Sequence, residues 1–163
     1  MILPRSEFTV TTPSDREIVM TRYFDAPRDL VFETFTKPEH VKHWWGPRGW
    51  SLPECEIDLR VGGSFHYLMR GPEGEEHGVK GRYFEIVPPE RLVFSDGFEA
   101  PSMSDFEARL TLIFQEEAPQ RTKLTMTSLY SSKHIRDQVL KMGVGEGWGQ
   151  SLDRLDEVLA RIR

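Results

Sequence analysis

Cysteine is almost absent from this sequence of 163 residues, since Cys55 is the only one. An internal disulfide framework is therefore excluded. Glu54 and Glu56 flank the thiol with negative charge, which opposes formation of a reactive thiolate. The surrounding alternation of apolar and polar residues instead favours a small buried side chain. We expect Cys55 to be structural.

Basic runs and long apolar runs are also lacking. Lysine and arginine total 21 against 26 acidic residues, and the formal net charge is −5. Nucleic acids and anionic membrane surfaces both require clustered positive charge, and we expect neither as a partner. No segment approaches the roughly 20 apolar residues of a membrane span, so no membrane insertion is expected. The first residues lack the apolar core of a secretory signal, which favours a cytoplasmic protein.

Internal repeats and low-complexity linkers are missing as well, and the length suits one domain with a substantial core. We therefore expect a single domain over 1–163. Residues 1–15 form an N-terminal extension in this interpretation, with a short extra strand at 8–11. The β-rich segment 17–24 lies between turn residues and predicts the first main strand.

Two short helices are predicted next. Asp25 is a suitable N-cap, and Pro27 is tolerated in the first turn because its missing N–H would have no partner there. Apolar residues then recur at helical spacing through 27–36. A second short helix begins near Pro38 and carries two adjacent tryptophans.

The pattern between residues 50 and 130 is that of strands. Short segments rich in β-branched and aromatic residues alternate with glycine and proline turns. They predict a meander of six strands in a largely antiparallel sheet. Alternation along one strand places Phe65, Tyr67 and Met69 on the same face. This more continuous apolar set favours that face as the concave one.

The C-terminal segment returns to helical spacing. One face of the predicted helix carries large apolar residues, namely Trp148, Leu152, Leu155, Leu159 and Ile162. Such a stripe must pack on an apolar surface, and the sheet is the large one available. Glycines between 143 and 149 weaken the start of this helix and could form a hinge or a thin pocket wall. The sequence thus predicts an α+β fold in which a curved antiparallel sheet wraps a long C-terminal helix.

Five local motifs, in the same order along the chain, are similar to segments of one known family. They are the opening segment 22–32, the Trp-rich segment 38–47, the sheet motifs 58–63 and 85–92, and the last-helix motif 147–155. By these motifs the chain resembles the homologues of the activator of heat-shock protein 90 ATPase, within the START-like (SRPBCC) superfamily. The resemblance extends from about residue 17 to the C-terminus.

The resemblance implies the helix-grip (START-like) fold and leaves three kinds of function open, because this fold serves many roles. The first is a module that binds a small apolar or aromatic molecule between the sheet and the C-terminal helix. The second is an enzyme of the polyketide cyclase or hydrolase type that uses the same cavity. The third is a chaperone-associated interaction module. Against the third, the eukaryotic activator works with an additional N-terminal domain, which we do not expect in this chain.

Large side chains on the elements that border the cavity in this fold are candidates for its wall. Aromatic rings supply apolar area, and an indole N–H or phenol O–H can orient a ligand. The same rings would leave no pocket if they filled the core. The candidate wall residues are Trp44, Trp45, Phe65, Tyr67, Met69, Tyr83, Glu85, Phe94, Trp148 and Leu152.

Acid–base chemistry in this cavity would require a carboxylate or histidine whose pKa is shifted by apolar surroundings. Glu85, Asp96, Glu107 and His77 are the candidates. Glu85 is favoured because it continues the alternation of Tyr83 along one strand face. A salt bridge or a solvated outer face is the competing interpretation.

Metal and cofactor sites have no support in the sequence. His40 and His43 have i, i+3 spacing on a helix, but no third ligand follows at a recognisable spacing. We expect solvent-facing histidines, no metal and no cofactor. A homodimer is compatible with exposed strand edges.

Overall fold

The structure is a computed structural model that describes residues 8–162. These residues form eight strands, four α-helices and one 3₁₀ helix. The strands are β1 (Phe8–Thr11), β2 (Glu17–Phe24), β3 (Ser51–Ile57), β4 (Ser64–Arg70), β5 (Glu76–Val87), β6 (Arg91–Phe98), β7 (Ala108–Ala118) and β8 (Arg121–Leu129). The α-helices are α1 (Arg28–Thr36), α2 (Pro38–Val41), α3 (Lys133–Lys141) and α4 (Val144–Ile162), and the 3₁₀ helix is Pro101–Phe106. Residues 1–7 of the predicted N-terminal extension lie outside the described residues.

All eight strands belong to one antiparallel sheet with the order β1-β2-β8-β7-β6-β5-β4-β3. β3 to β8 form the meander, and β2 pairs with β8 so that Met20 lies opposite Met126. β1, at the predicted short extra strand, pairs with the outer side of β2. This sheet, the two short helices after β2 and the long C-terminal helix confirm the predicted α+β helix-grip fold.

The concave face of the sheet packs against α4. On β4 the buried residues are Phe65, Tyr67 and Met69, which confirms the face predicted from their alternation. Side chains from the middle of α4 are buried over this face, namely Ser151, Leu152, Leu155, Val158 and Leu159. Burial of such apolar side chains stabilises the fold by about 25 cal/mol per Å² of apolar surface removed from water. Ile162, predicted on the same stripe, lies at the helix end and is 39% exposed.

One buried charge also joins the sheet to α4. Arg22 lies among the inward-facing residues of β2 and is only 2% exposed. Its Nη1 donates to Asp153 Oδ1 of α4 at 2.7 Å. A buried guanidinium requires such a partner because removing it from water is costly. The alternation of β2 therefore brings a cation, as well as apolar side chains, beneath the helix.

The start of α1 differs from the prediction. Pro27 is the N-cap residue, with φ −68° and ψ 149°, and no side chain caps the helix. Asp25 is therefore two residues too early to be the N-cap, and its carboxylate instead pairs with Arg121 Nη1 at 3.3 Å. A proline biases the residue before it toward extended backbone, which delays the helix.

The glycine-rich segment before the C-terminus is helical, contrary to the expected weakening. α3 ends before Gly143, whose φ of +88° suits glycine, and α4 then begins at Val144. α4 continues through three further glycines. A Cβ on Gly149 would lie 3.4 Å from the Phe8 ring, and one on Gly145 would lie 3.4 Å from Val10 Cγ2. Both distances are ordinary van der Waals contacts, so β1 lies beside the start of the helix without requiring glycine there.

Candidate functional site

A pocket of about 320 Å³ lies between the concave face of the sheet and the first half of α4. Its sheet side is formed by Met69, Val79, Asp96, Gly97, Phe98, Ala108, Leu110 and Ser128. Its helical side is formed by Tyr130, Val139, Met142, Gly143, Val144, Gly147, Trp148 and Ser151. The loop residues Trp45, Gly46 and Pro47 and the 3₁₀-helix residues Met103 and Phe106 complete the lining. The space enclosed by sheet and helix is therefore not completely filled by side chains.

Three of the predicted wall residues line this pocket: Trp45, Met69 and Trp148. The two indole rings pack edge to face, with their centroids 5.1 Å apart. This arrangement of aromatic rings is a favoured one. Trp148 is held near the start of α4, and Trp45 is held by the loop that follows α2. The pocket wall is thus shared by residues that are 103 positions apart in sequence.

The other apolar candidates are buried in the core and are not among the lining residues: Trp44, Phe65, Tyr67, Tyr83, Phe94 and Leu152. The second helix ends at Val41, so Trp44 and Trp45 follow it rather than lie on it as predicted. Trp44 Nε1 donates to the Thr34 carbonyl oxygen at 2.8 Å, which fixes the turn after α2 against α1. Tyr67 packs its ring 5.0 Å from that of Trp45, so it supports the wall from behind. The hydroxyls of Tyr67 and Tyr83 are hydrogen-bonded to each other, and burial raises the pKa of both phenols.

The structure places Glu85 outside the pocket, on the exposed face of β5. Its carboxylate pairs with Arg91 Nε at 3.2 Å. The register between β5 and β6 shifts between Tyr83 and Glu85, because Tyr83 lies opposite Phe94 and Glu85 opposite Val93. A β-bulge of this kind inserts a residue and breaks the two-residue alternation. The alternation used to favour Glu85 therefore ends at Tyr83.

Asp96 is the carboxylate that the fold places in the pocket wall. It lies on β6 opposite Ala108 of β7 and follows Phe94 on the same strand face. Burial, with a smaller contribution from the negative charge of Glu107, raises the pKa of Asp96 to about 7. Desolvation disfavours the charged form of a carboxyl, so this direction is the expected one. Among residues 8–162, none gives the Asp96 carboxyl an ion pair or a hydrogen bond.

A signal for Asp96 was present in the sequence. Leu92, Phe94, Asp96 and Phe98 alternate along one strand, so the acid interrupts an otherwise apolar face. Asp96 was among the acid–base candidates, but alternation alone did not distinguish it from Glu85. The distinction depends on the bulge in β5 and on the helices that cover this end of the sheet.

Tyr130 and Ser128 are the polar neighbours of Asp96 in the pocket. Ser128 lies on the inward face of β8, and Tyr130 follows the end of that strand. Burial first, and then the charge of Asp96, raise the pKa of Tyr130 to about 12, although a hydrogen bond with Ser128 opposes the shift. The phenol therefore stays protonated at neutral pH and can donate a hydrogen bond.

The mouth of the pocket is apolar. Phe98 at the end of β6 is 39% exposed, and Met142 between α3 and α4 is 59% exposed. Met103 and Phe106 border the same region from the 3₁₀ helix. Exposed apolar side chains around a concave opening are typical of ligand sites. These four residues were not among the predicted wall residues. Phe98 continues the alternation of β6, whereas no periodic pattern marks Met103, Phe106 and Met142.

Arg154 holds the loop that carries Trp45. Its Nη1 donates to the carbonyl oxygens of Gly46 at 2.9 Å and Pro47 at 3.1 Å, and its Nη2 donates to that of His43 at 3.2 Å. Gly46 and Pro47 line the pocket. One side chain of α4 therefore positions the rim of the pocket.

The remaining titratable candidates lie elsewhere. His77 stacks on Trp50, with ring centroids 5.7 Å apart, and Glu107 is exposed beside the pocket. His43 is largely exposed, and partial desolvation of its ring, followed by nearby cations, lowers the pKa of the imidazole. The part of the chain that the structure describes holds no group of three His, Cys, Asp or Glu side chains arranged for a metal.

Cys55 is half-buried on β3, and burial raises the pKa of its thiol to about 11. A thiol with a raised pKa is a poor nucleophile at neutral pH. Across the described helices, none is both long enough and apolar enough to cross a membrane.

Comparison with solved structures identifies several proteins of the same fold. A protein from Rhodobacter sphaeroides is 26% identical, with a TM-score of 0.86 over 96% of this chain and 100% of that chain. One from Mycobacterium smegmatis is 27% identical, with a TM-score of 0.82 over 94% of this chain and 97% of that chain. A solution structure from Arthrobacter aurescens is 26% identical, with a TM-score of 0.85 over 94% of this chain and 91% of that chain.

Comparison with protein families gives a more specific result. No curated protein matches the chain. The family described as Activator of Hsp90 ATPase homolog 1-like protein matches residues 25–160, which include both tryptophans of the pocket, Asp96 and most of α4. The chain therefore belongs to the family of Activator of Hsp90 ATPase homolog 1-like proteins.

Proposed function

We propose that this protein binds a small, mainly apolar molecule in the pocket between the sheet and α4. The observation that carries the proposal is the unfilled space of about 320 Å³ with Trp45, Trp148 and Phe106 in its wall. A volume of this size matches the lower range of small-molecule sites, which are mostly apolar with a few polar groups. The exposed apolar mouth supports the same proposal, because it offers a route into the pocket.

The experiment is a screen by tryptophan fluorescence and thermal melting against lipids, aromatic metabolites and polyketide-like compounds. A ligand beside Trp45 and Trp148 is expected to change their emission. It also raises the melting temperature, because it binds the native state alone.

Two variants of β7 test the location of binding. Ala108 lies in the pocket wall, so Ala108→Phe fills the pocket and is expected to weaken binding at least about tenfold. Thr111→Phe adds the same ring to the opposite face of the strand and is the matched control. Hits that bind Ala108→Phe as tightly as the wild type would contradict this location, and silence across the whole library would contradict the proposal.

A second candidate, an enzyme of the cyclase or hydrolase type, is favoured by Asp96 beside Tyr130. A carboxyl with a pKa of about 7 both takes and gives protons near neutral pH. Mass spectrometry of each ligand after incubation distinguishes the two functions. Turnover that slows at least about 100-fold in Asp96→Asn would favour the enzyme. Unchanged ligand favours binding alone.

The remaining predictions from sequence stay predictions. A chaperone-associated role rests on the family alone, and a homodimer, a cytoplasmic location and a single domain over 1–163 rest on the sequence reasoning. Native mass spectrometry and cell fractionation would test the second and third of these.

A further inference from the structure

The only charge that the described residues of the pocket wall can carry is negative. Asp96 is the one ionisable acid in the wall, and no lysine, arginine or histidine of residues 8–162 lines the pocket. The other polar side chains there are the neutral hydroxyls of Ser128, Tyr130 and Ser151. An anionic ligand, such as a fatty acid, would meet a carboxylate in a poorly solvated space without any balancing cation. The wall therefore selects against negative charge.

The Asp96 carboxylate also lacks an internal partner. None of the described residues pairs with it, although Arg22, Arg136 and Arg154 each find partners elsewhere in the fold. Asp96 is partly buried, and an opposite charge within hydrogen-bond distance would stabilise its ionised form.

Aromatic rings border the same space. Trp45 and Trp148 lie edge to face in the wall, and Tyr130 is near Asp96. The faces of such rings attract a cationic nitrogen, and most strongly where water is excluded. A carboxylate combined with tryptophan rings suits an organic ammonium better than a metal ion, because the site offers one carboxylate and much apolar surface.

We propose that the pocket binds an organic ammonium, with an apolar body against the tryptophans and a cationic nitrogen on the Asp96 carboxylate. This inference rests on the proposed function and adds the chemical class of the ligand. The carboxylate and both tryptophans line the same pocket, so the carboxylate can select the nitrogen while the rings bind the apolar body.

Protons compete with such a ligand for Asp96. The titratable groups around Asp96 are Glu107 before β7, Tyr130 after β8 and Tyr67 on β4, while Lys80 of β5 is exposed on the other face. An ammonium binds the ionised carboxylate, whose fraction falls as the pH drops through about 7. Affinity is therefore expected to fall roughly thirtyfold from pH 8.5 to pH 5.5.

Three probes test the inference: 4-phenylbutylamine, 4-phenylbutan-1-ol and 4-phenylbutyrate. They share a phenyl ring on a short alkyl chain and differ in the charge of the terminal group. Calorimetry with the full chain at pH 8.5 is expected to give the amine at least about tenfold tighter binding than the alcohol, with the carboxylate weakest. Asp96→Asn keeps the shape of the side chain and is expected to abolish both the preference for the amine and its pH dependence. Glu107→Gln is the control, and it should keep the preference while moving the pH midpoint downward.

The pH series on the wild type does not depend on any variant. Equal binding of amine and alcohol, or a preference for the amine that survives in Asp96→Asn, would overturn the inference. Binding of the alcohol alone, lost in Ala108→Phe, would overturn it while the proposed function stands. If none of the three probes binds, the ammonium inference is also overturned, and the library screen decides the proposed function separately.

Discussion

Glu85 and Asp96 lie on neighbouring strands, and their surroundings give them opposite properties. Glu85 is exposed and paired with Arg91, whereas Asp96 is enclosed and shifted toward the protonated form. A solvated ion pair of the first kind contributes little to stability, with typical values of about 0 to 1 kcal/mol. An enclosed carboxyl of the second kind is where a functional role is expected. At this scale, the chemistry of the site depends on one residue.

The environment of Asp96 is expected to make the free energy of unfolding depend on pH. The pKa of its carboxyl is about 7 in the folded chain against an ordinary value of 3.8, so the folded state binds the proton more tightly. The stabilisation from protonating Asp96 is therefore lost as the pH rises from about 4 to about 7. Above about pH 7 this residue changes the free energy of unfolding little further. Asp96→Asn should therefore gain free energy of unfolding relative to the wild type over this range, by roughly 2 to 4 kcal/mol.

Urea unfolding at pH 4, 6 and 8 measures this gain. Asp105→Asn makes the same exchange at an exposed position of the 3₁₀ helix and is the matched control. A difference between Asp96→Asn and wild type that stays constant from pH 4 to pH 8 would show that the carboxyl is not enclosed.

At the scale of helices and strands, α4 positions the pocket residues. It does so through its polar side chains as well as through its buried apolar face. Arg154 donates to carbonyl oxygens of the loop between α2 and β3, and Arg48 of that loop pairs with Glu157 at 2.5 Å. The backbone N–H of Arg48 donates to Gln150 Oε1 at 3.0 Å. The loop that bears Trp45 is thus attached to the helix over about two turns, from Gln150 to Glu157.

Loss of the Arg154 contacts is expected to loosen this loop. Arg154→Met keeps the aliphatic part of the side chain but leaves the carbonyl oxygens of Gly46 and Pro47 without their donor. We expect faster hydrogen exchange of the amides in 44–50, and a loss of about 1 to 3 kcal/mol in the free energy of unfolding. Arg161→Met, at an exposed position of the same helix, is the control, and equal exchange in the two variants would refute the attachment.

At the scale of the whole molecule, an ion pair joins β2 to α4, which is far from it in sequence. The Arg22 guanidinium is nearly inaccessible and its Nε has no hydrogen-bond partner in the described structure, so Asp153 provides its compensating charge. Because Asp153 is half-exposed, water weakens this attraction but does not remove the cost of leaving Arg22 unpaired.

A double-mutant cycle measures this connection. Asp153→Ala is expected to cost about 2 kcal/mol in the wild type, since it leaves a buried cation without its partner. In the Arg22→Met background the same change should cost almost nothing, because no charge remains to be paired. Equal costs in the two backgrounds would show that the ion pair does not hold the helix on the sheet.

The sequence by itself determined the order of the elements, the inward face of β4 and the buried stripe of α4. These features follow from local rules, because a period of two or 3.6 and the turn residues between segments act over a few positions. Three of the ten predicted wall residues, Trp45, Met69 and Trp148, were also placed in the pocket wall. Trp44 and Phe65 are also large aromatic residues at expected inward positions, yet they lie in the core. Only tertiary packing distinguishes an aromatic ring in the pocket wall from one in the core.

The tertiary structure alone decided which carboxyl the pocket encloses and where space remains. A bulge in β5 turns Glu85 outward, and the helical segments around Met103 and Met142 cover the end of the sheet at Asp96. It also decided that the glycine-rich start of α4 is helical from Val144 onward. Each of these outcomes depends on contacts between segments that are distant in sequence. Local helix and strand propensities depend on neighbouring residues only and do not describe such contacts.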